Sequence, residues 1–395
     1  MAKQKIVIVG GGFGGVKAAL ELSFDKNFDV TMISDDDYFK YYPALYHTAT
    51  GGARQVSAIS ISELLDSHPI KFFKARALHI DRKAKHLVTK GAGTLPYDIL
   101  IMALGMETNY FGIKGLKEFS YGIKSLDEVE KLKNHLHEQL RDENKPDAHY
   151  LIVGGGSTGV ELAGVLPRYI RQIMRHHGIK HKSFKVEIIE ALPNVMPKMP
   201  KDVGRATAKR LRQLGVAVHT NQKVEAETAD ALTINGAPVA SHTVVWTAGV
   251  ACNSFFADNK FVMTPHQKVE VNQYLQAEPD IYVLGDNADT LYSGVAQTAL
   301  YDAVYVTNNL RRLVAGKKPK VYQPKLPVYV TPTGPNWASV VWGRAHFYGR
   351  LGWWLRQAAD LLAYHSYQPW WPASRRWLAM NTLEESCPIC GQSQL

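Results

Sequence analysis

Two stretches of this chain have the residue types and spacing to hold phosphates. "KIVIVGGGFGGVKAAL" runs from Lys5 to Leu20, and "YLIVGGGSTGVELAG" from Tyr150 to Gly164. Each goes from an apolar strand through glycines into a helix. The spacing is Gly10-x-Gly12-x-x-Gly15 in the first and Gly154-x-Gly156-x-x-Gly159 in the second. In such a turn the first glycine allows the bend. The second lets backbone approach a pyrophosphate, and the third lets helix close on strand. The helix start then offers unpaired N–H groups and the positive end of a dipole. One such string is equally a plain glycine turn. Two, each between a strand and a helix, point to two dinucleotides.

The next chemical position is the end of the second strand of each unit. In the second unit it holds Glu190, after "VEII". A carboxylate there accepts from the adenosine ribose hydroxyls and repels a 2′-phosphate, which favours NADH over NADPH. The plainer reading is a surface glutamate at a strand end. In the first unit the matching residue is Ser34, followed by Asp35, Asp36 and Asp37. The acid is displaced by one, so the ribose contact there is weaker. One flavin that stays and one nicotinamide that comes and goes would explain the doubling.

Positioning these residues requires parallel sheets. Ile6–Val9, the helix Val16–Leu22 and the strand Phe28–Ser34 form a βαβ opening, the order of a doubly wound α/β fold. Further strands are expected at Leu95–Gly105, Lys185–Glu190, His242–Gly249 and Asp280–Asp289. Helices are expected at Asp127–Arg141 and Ala296–Leu313. A basic crossover includes "RHHGIKHK", Arg175 to Lys182, read as a solvated helix end. From Lys317 prolines cluster among β-branched residues, and seven of the eight tryptophans follow.

The chain has 395 residues, 46% of them hydrophobic, enough for two domains and a further region. Its three cysteines, Cys252, Cys387 and Cys390, make no disulfide framework and suit a reducing compartment. The net charge of +10 favours polyanions such as anionic lipid or phosphate ligands, and no nucleic-acid motif accompanies it. The first apolar run is a strand rather than a secretory signal. No apolar run of spanning length is free of charge, so any membrane contact is expected to be peripheral.

Together with "ALG" (Ala103–Gly105), "TAG" (Thr247–Gly249) and Gly285-Asp286, the two turns resemble the two-dinucleotide-binding-domain flavoprotein family. "YFKYYPALYHTATG" (Tyr38–Gly51), "ETNYFGIKGL" (Glu107–Leu116), "GVELAG" (Gly159–Gly164), "WTAGV" (Trp246–Val250) and "AQTA" (Ala296–Ala299) are similar to type II NADH:quinone oxidoreductases. The resemblance spans roughly residues 5–315 and weakens beyond. It implies a glutathione-reductase-like fold of two Rossmann-like domains. A noncovalent FAD domain would comprise residues 1–112 and 256–316, an NADH domain 113–255, and a membrane-anchoring region 317–395. The activity implied is hydride transfer from NADH to flavin, then two-electron reduction of a quinone without proton pumping. No metal is required.

The implied FAD contacts are Gly10, Gly11, Gly12, Phe13, Gly14, Gly15, Ser34, Asp35, Ala77, Ala103, Gly105, Asp286, Ala296 and Gln297. The implied NADH contacts are Gly154, Gly156, Ser157, Thr158, Gly159, Glu190 and Gly249. Asp286 would accept from the ribityl chain; an N-cap role suits it equally. Glu161 matches the family glutamate beside the flavin, or is a first-turn glutamate held by the helix dipole. Gln297 matches the glutamine at the flavin–quinone contact. Where the family often has a second glutamine four residues on, this chain has Tyr301. Its phenol donates to a quinone carbonyl, or packs against the helix behind.

In "GRLGWWLRQAADLLAYHSYQPWWPASRRWL", Gly349 to Leu378, helical spacing puts Trp354, Leu355, Ala358, Leu361 and Leu362 on one face. Arg356, Gln357 and Asp360 point elsewhere. With Trp370, Trp371, Arg375, Arg376 and Trp377 following, this reads as an in-plane anchor. It would place the enzyme peripherally at the cytoplasmic face of the cell membrane. The alternative is packing on the protein itself or on a second subunit as a homodimer. "CPIC", Cys387 to Cys390, lacks the further ligands of a zinc site. A redox pair, a site shared between chains and an unstructured tail all stay open. Rival functions are a sulfide:quinone oxidoreductase, a soluble NADH oxidase or disulfide reductase, and a noncatalytic redox-sensing flavoprotein. The sulfide chemistry needs redox cysteines, and only Cys252 precedes the tail.

Overall fold

The computed structural model describes residues 3–142, 147–179 and 183–382; Cys387 and Cys390 lie outside these. The chain opens with β1 (Gln4–Val9), α1 (Phe13–Leu22), β2 (Phe28–Ser34), β3 (Lys71–Lys74) and β4 (Ile99–Met102). A short β5 (Met106–Thr108) leads out of this unit. The second unit comprises α2 (Leu126–Asp142), β6 (His149–Val153), α3 (Ser157–His176), β7 (Lys185–Ile189), α4 (Lys201–Gln213), β8 (Val216–His219) and β9 (Thr243–Trp246). The chain returns through β10 (Val250–Cys252) to β11 (Gln276–Glu278), β12 (Ile281–Val283) and α5 (Ala296–Val314). A hairpin of β13 (Tyr329–Pro332), β14 (Ala338–Trp342) and β15 (Ala345–Phe347) precedes α6 (Gly349–His365) and α7 (Trp370–Ala379).

Two Rossmann-like sheets result. The first has the order β11-β12-β4-β1-β2-β3, parallel except for the β11–β12 edge. The second has the order β8-β7-β6-β9 and is parallel throughout. Both central strands read as unbroken apolar runs because both faces are covered. Ile6 to Val9 and Tyr150 to Val153 are all buried. β5 and β10 pair antiparallel, so the outgoing and returning connections run side by side between the units. The expected strand Leu95–Gly105 is shorter than its apolar pattern. Only Ile99–Met102 joins the large sheet, while Leu95 and Pro96 pair with Leu87 and His86 in a separate meander.

The C-terminal helices are amphipathic in an inverted sense. On α6, Arg356, Gln357, Asp360 and Tyr364 are buried, whereas Leu351, Trp354 and Leu362 are more than half exposed. α6 sits close on the hairpin. A Cβ at Gly352 would stand 2.2 Å from the Ala338 carbonyl oxygen. On α7 the tail expectation needs correction, because only part of the aromatic and basic cluster faces outward. Trp370, Trp371 and Arg375 are exposed. Arg376 is buried, donating from Nη1 to Gln55 O (2.8 Å) and from Nε to Gln368 Oε1 (2.9 Å), and pairing with Glu63. Trp377 Nε1 donates to Gln357 O at 2.9 Å. A guanidinium in so closed a place must satisfy its donors within the protein, which fixes α7 against the body. Among the described residues no helix is long and apolar enough to cross a membrane.

The contact at Gly352 makes a stability prediction. Gly352→Val is expected to cost about 1–3 kcal/mol by forcing α6 off the hairpin. Thermal unfolding, with faster hydrogen exchange across 349–365, is the measurement.

Candidate functional site

The glycines of the two turns divide into packing positions and open ones, in the same way twice. Gly10 and Gly154 have φ of +118° and +113°, and a Cβ on Gly10 would stand 2.2 Å from Ala103 O. A Cβ on Gly15 would be 1.9 Å from Gly10 O, and one on Gly159 2.0 Å from Gly154 O. Gly12 and Gly156, the N-cap residues of α1 and α3, have nothing within 4 Å of that position. Neither cap makes a side-chain bond, and neither helix has an acid in its first turn. Each helix therefore presents unpaired N–H groups and an unneutralised positive end to open space, which fits a pyrophosphate.

Both turns line one continuous cleft of about 1940 Å³. That exceeds the usual size of a small-molecule site and accommodates extended ligands. All the expected contacts reach its wall except Gly15, Gly159 and Tyr301. The two glycines are instead consumed in helix–strand packing. Tyr301 is a correction: its ring lies against Tyr322 (5.9 Å between centroids) with the Lys325 ammonium 4.3 Å from the ring centre. Gln297, one turn nearer the helix start, does reach the cleft. Its Oε1 accepts from Val328 N at 2.8 Å, tying α5 to the approach of β13.

The strand-end residues stand over the middle of each turn. Glu190 Oε2 accepts from Gly155 N and Oε1 from Leu192 N, both at 2.7 Å. Its carboxylate thus shapes the turn as well as lining the cleft. Ser34 takes the matching place over Gly11, where a Cβ would meet its Oγ at 2.6 Å. Asp286, in the same cleft, accepts from Gly294 N at 3.1 Å, and burial raises its pKa.

Glu161 lies in the second turn of α3, not the first as expected. It is buried, and α6 brings Arg356 and Asp360 to the same wall. Arg356 donates to the Asp360 carboxylate and, through Nη2, to Pro43 O at 2.9 Å. Tyr41 OH donates to the other Asp360 oxygen at 2.6 Å. Burial pushes the Glu161 carboxyl up to about 8; the Arg356 charge opposes the rise and the Asp360 charge adds to it. Glu161 is therefore protonated at neutral pH and holds a proton inside the cleft. The sequence reading missed Arg356, Asp360, Tyr41 and Tyr46 as cleft residues. The one available signal was an Arg–Asp pair at i, i+4 on the narrow polar side of an apolar helix.

Cys252 Sγ accepts from Asn287 Nδ2 at 3.2 Å, and burial raises the thiol pKa. That is the opposite of an activated thiolate.

The pyridine nucleotide-disulphide oxidoreductase family matches residues 4–303. The type II NADH:quinone oxidoreductase Ndh of Mycobacterium tuberculosis is 27% identical over 355 residues, covering 82% of this chain and 75% of that protein. The solved structure of NDH2 from Plasmodium falciparum with NADH superposes with a TM-score of 0.85 at 19% identity, over 96% and 97% of the two chains. A sulfide:quinone oxidoreductase from Aquifex aeolicus gives a TM-score of 0.74 at 21% identity, over 91% and 90%.

The charge cluster predicts a titration. The protonated carboxyl band assigned by difference between wild type and Glu161→Gln should vanish as pH rises through about 8. Arg356→Met removes the opposing cation, so the band should persist to higher pH. Infrared spectroscopy across a pH series reads both shifts.

Proposed function

The chain belongs to the pyridine nucleotide-disulphide oxidoreductase family, and from that premise we propose a non-proton-pumping NADH:quinone oxidoreductase using noncovalent FAD. The observation that carries the reading is one cleft reached by two glycine turns of the same geometry. Residues 1–112 and 256–316 hold the flavin in this reading, and 113–255 the NADH. When bound, FAD would supply hydride acceptance and two-electron transfer, chemistry that no side chain of the protein provides. The chain supplies the rest. Gly10–Gly14, Ser34 and Asp286 would seat the FAD, while Gly154, Gly156, Ser157, Thr158 and Glu190 would seat the NADH. Glu190 disfavours a 2′-phosphate by charge. Gln297 offers its amide at the quinone side. Glu161 holds a proton there, and Arg356 limits how tightly it is kept.

The acceptor and the tail belong together. The cleft wall continues along Leu355, Ala359, Leu362 and Ala363 of α6 to Trp342, and Trp342 and Leu362 are exposed. Leu351 and Trp354 of α6 and Trp370, Trp371 and Leu378 of α7 are exposed as well. An apolar patch with aromatic and basic members suits the headgroup zone of a bilayer. We place the protein peripherally on the cytoplasmic face of the cell membrane, the mouth turned to the lipid that dissolves its acceptor. A second copy of the chain is the competing occupant of this face.

Among the described residues the rival sulfide chemistry finds one cysteine, Cys252, whose Sγ accepts from Asn287 and whose pKa burial raises, against an activated thiolate.

Two half-reactions test the function. Rapid mixing should show NADH bleaching the flavin and a soluble quinone restoring it. A flavin that NADH leaves yellow, or that reoxidises faster with oxygen than with quinone, would overturn the proposal. Glu161→Gln is expected to slow reoxidation by about 100-fold or more, the usual scale of a lost proton donor, and to spare reduction by NADH. In the wild type the quinone step should slow as pH rises through about 8, because the proton-holding form is lost. Trp354→Gln with Trp371→Gln should weaken sedimentation with anionic vesicles while NADH oxidation by a water-soluble dye continues. A shift from dimer to monomer in this double variant, with vesicle binding intact, would assign the face to a second copy instead.

A further inference from the structure

Lys124 lies just before α2 and lines the cleft. Its backbone is fixed by a reciprocal helix cap. Glu128 N donates to Ser125 Oγ (3.1 Å), and Glu128 Oε2 accepts from Ser125 N (3.2 Å) and Lys124 N (2.6 Å). The Glu128 carboxylate lies over Gly122, where a Cβ would come within 2.5 Å of Glu128 Cδ. From this anchored base the side chain reaches the junction of the two units. Its Nζ donates to Gly249 O at 3.0 Å and to Glu107 O at 3.4 Å.

Those two carbonyls belong to the two connections between the units. Glu107 is in β5, and Gly249 directly precedes β10. Lys124 is part of neither, yet bonds both. The surrounding contacts are close. Asn109 N donates to Gly249 O at 3.2 Å, Trp246 Nε1 donates to Asn109 O at 2.9 Å, and a Cβ on Gly249 would stand 2.1 Å from Asn109 O. Both bonds found for the ammonium go to main-chain carbonyls rather than to a carboxylate. Burial lowers its pKa, with the Glu128 charge opposing. A half-buried cation costs desolvation, and here that cost is offset by two hydrogen bonds from the ammonium to main-chain carbonyls.

The units also meet through an apolar contact in which Leu45, Ala49 and Ala58 pack with Ile123, Leu126 and Val160. The glycine turns fix each dinucleotide within its own unit. The strand pair is the place where main chain of both connections comes within reach of one side chain.

We propose that Lys124 is a positioning residue for the reaction: by clamping β5 to the start of β10 it sets how closely the nicotinamide approaches the flavin. The inference rests on the function proposed above. It adds no chemical step and no contact to the ADP half of the nucleotide, which Gly154, Gly156, Ser157, Thr158 and Glu190 would hold.

The test uses FAD-loaded Lys124→Met and Lys124→Arg beside wild type. In Lys124→Met the limiting rate of flavin reduction at saturating NADH should fall about 10- to 100-fold, the scale of a misplaced reactant. The dissociation constant for ADP-ribose, which has no nicotinamide, should stay unchanged, as should the rate of reoxidation by quinone. The long-wavelength absorbance of a stacked nicotinamide–flavin pair should weaken. Lys124→Arg should recover most of the rate, since a guanidinium also reaches two carbonyls. An unaltered limiting rate in Lys124→Met would overturn the inference. So would parallel losses in ADP-ribose affinity, reoxidation and thermal midpoint, which would mark a general loosening of the cleft. If NADH fails to reduce the wild-type flavin, the functional reading falls and takes this inference with it. If the wild type is reduced and Lys124→Met matches it, this inference falls alone.

Discussion

The architecture turns on the absence of room for a Cβ. At Gly15 and Gly159 the helix backbone lies so close to the turn that any side chain would enter the carbonyl oxygen of Gly10 or Gly154. That contact presses α1 and α3 onto their strands and aims their N-termini at the cleft. Gly12 and Gly156, open on that side, leave the helix ends accessible. Because the constraint is met twice, two positive helix ends face one space. A strand-end side chain stands over each turn, neutral at Ser34 and anionic at Glu190. The two sites thus share a frame and differ in where the acid stands, at the strand end in Glu190 and one residue later in Asp35.

The second organising feature is a helix that is polar inside and apolar outside. Arg356 and Asp360 cross the inner face of α6 as a bonded pair, sealed by Tyr41 and the Pro43 carbonyl. A buried pair of this kind is tolerable only when its remaining donors and acceptors are met. It adjoins a protonated Glu161, so the helix that forms the outer surface also tunes the interior of the site. Its outer face leaves Leu351, Trp354 and Leu362 exposed, an apolar surface that is unfavourable in water. An exposed apolar face and the charge pair beside Glu161 are thereby carried by one element.

The fold was largely legible along the chain, because glycine spacing and apolar runs are local properties. The βαβ openings, α1, α2, α3 and α5 fall where pattern placed them. So do the cleft positions of Gly12, Gly156, Glu190, Asp286 and Gln297. For Tyr301 the sequence leaves a donor role and a packed role open, and a residue four positions along a helix lies about 6 Å further down the axis. That displacement carries the ring past the cleft to Tyr322. The inward placement of Arg376 and Trp377 is not encoded in composition, which does not reveal which face of a helix a distant loop will cover.

The sequence by itself determined what depends on near neighbours: two glycine turns between strand and helix, a carboxylate at the end of one second strand, and a helix with one apolar face. Tertiary structure alone decided what depends on distant segments meeting. It brought Glu161 on α3 to Arg356 and Asp360 on α6, and it laid β5 beside β10 within reach of Lys124. It also turned the charged side of α6 inward. Burial and charge proximity fall off over a few ångströms through space, and spacing along a chain does not encode them.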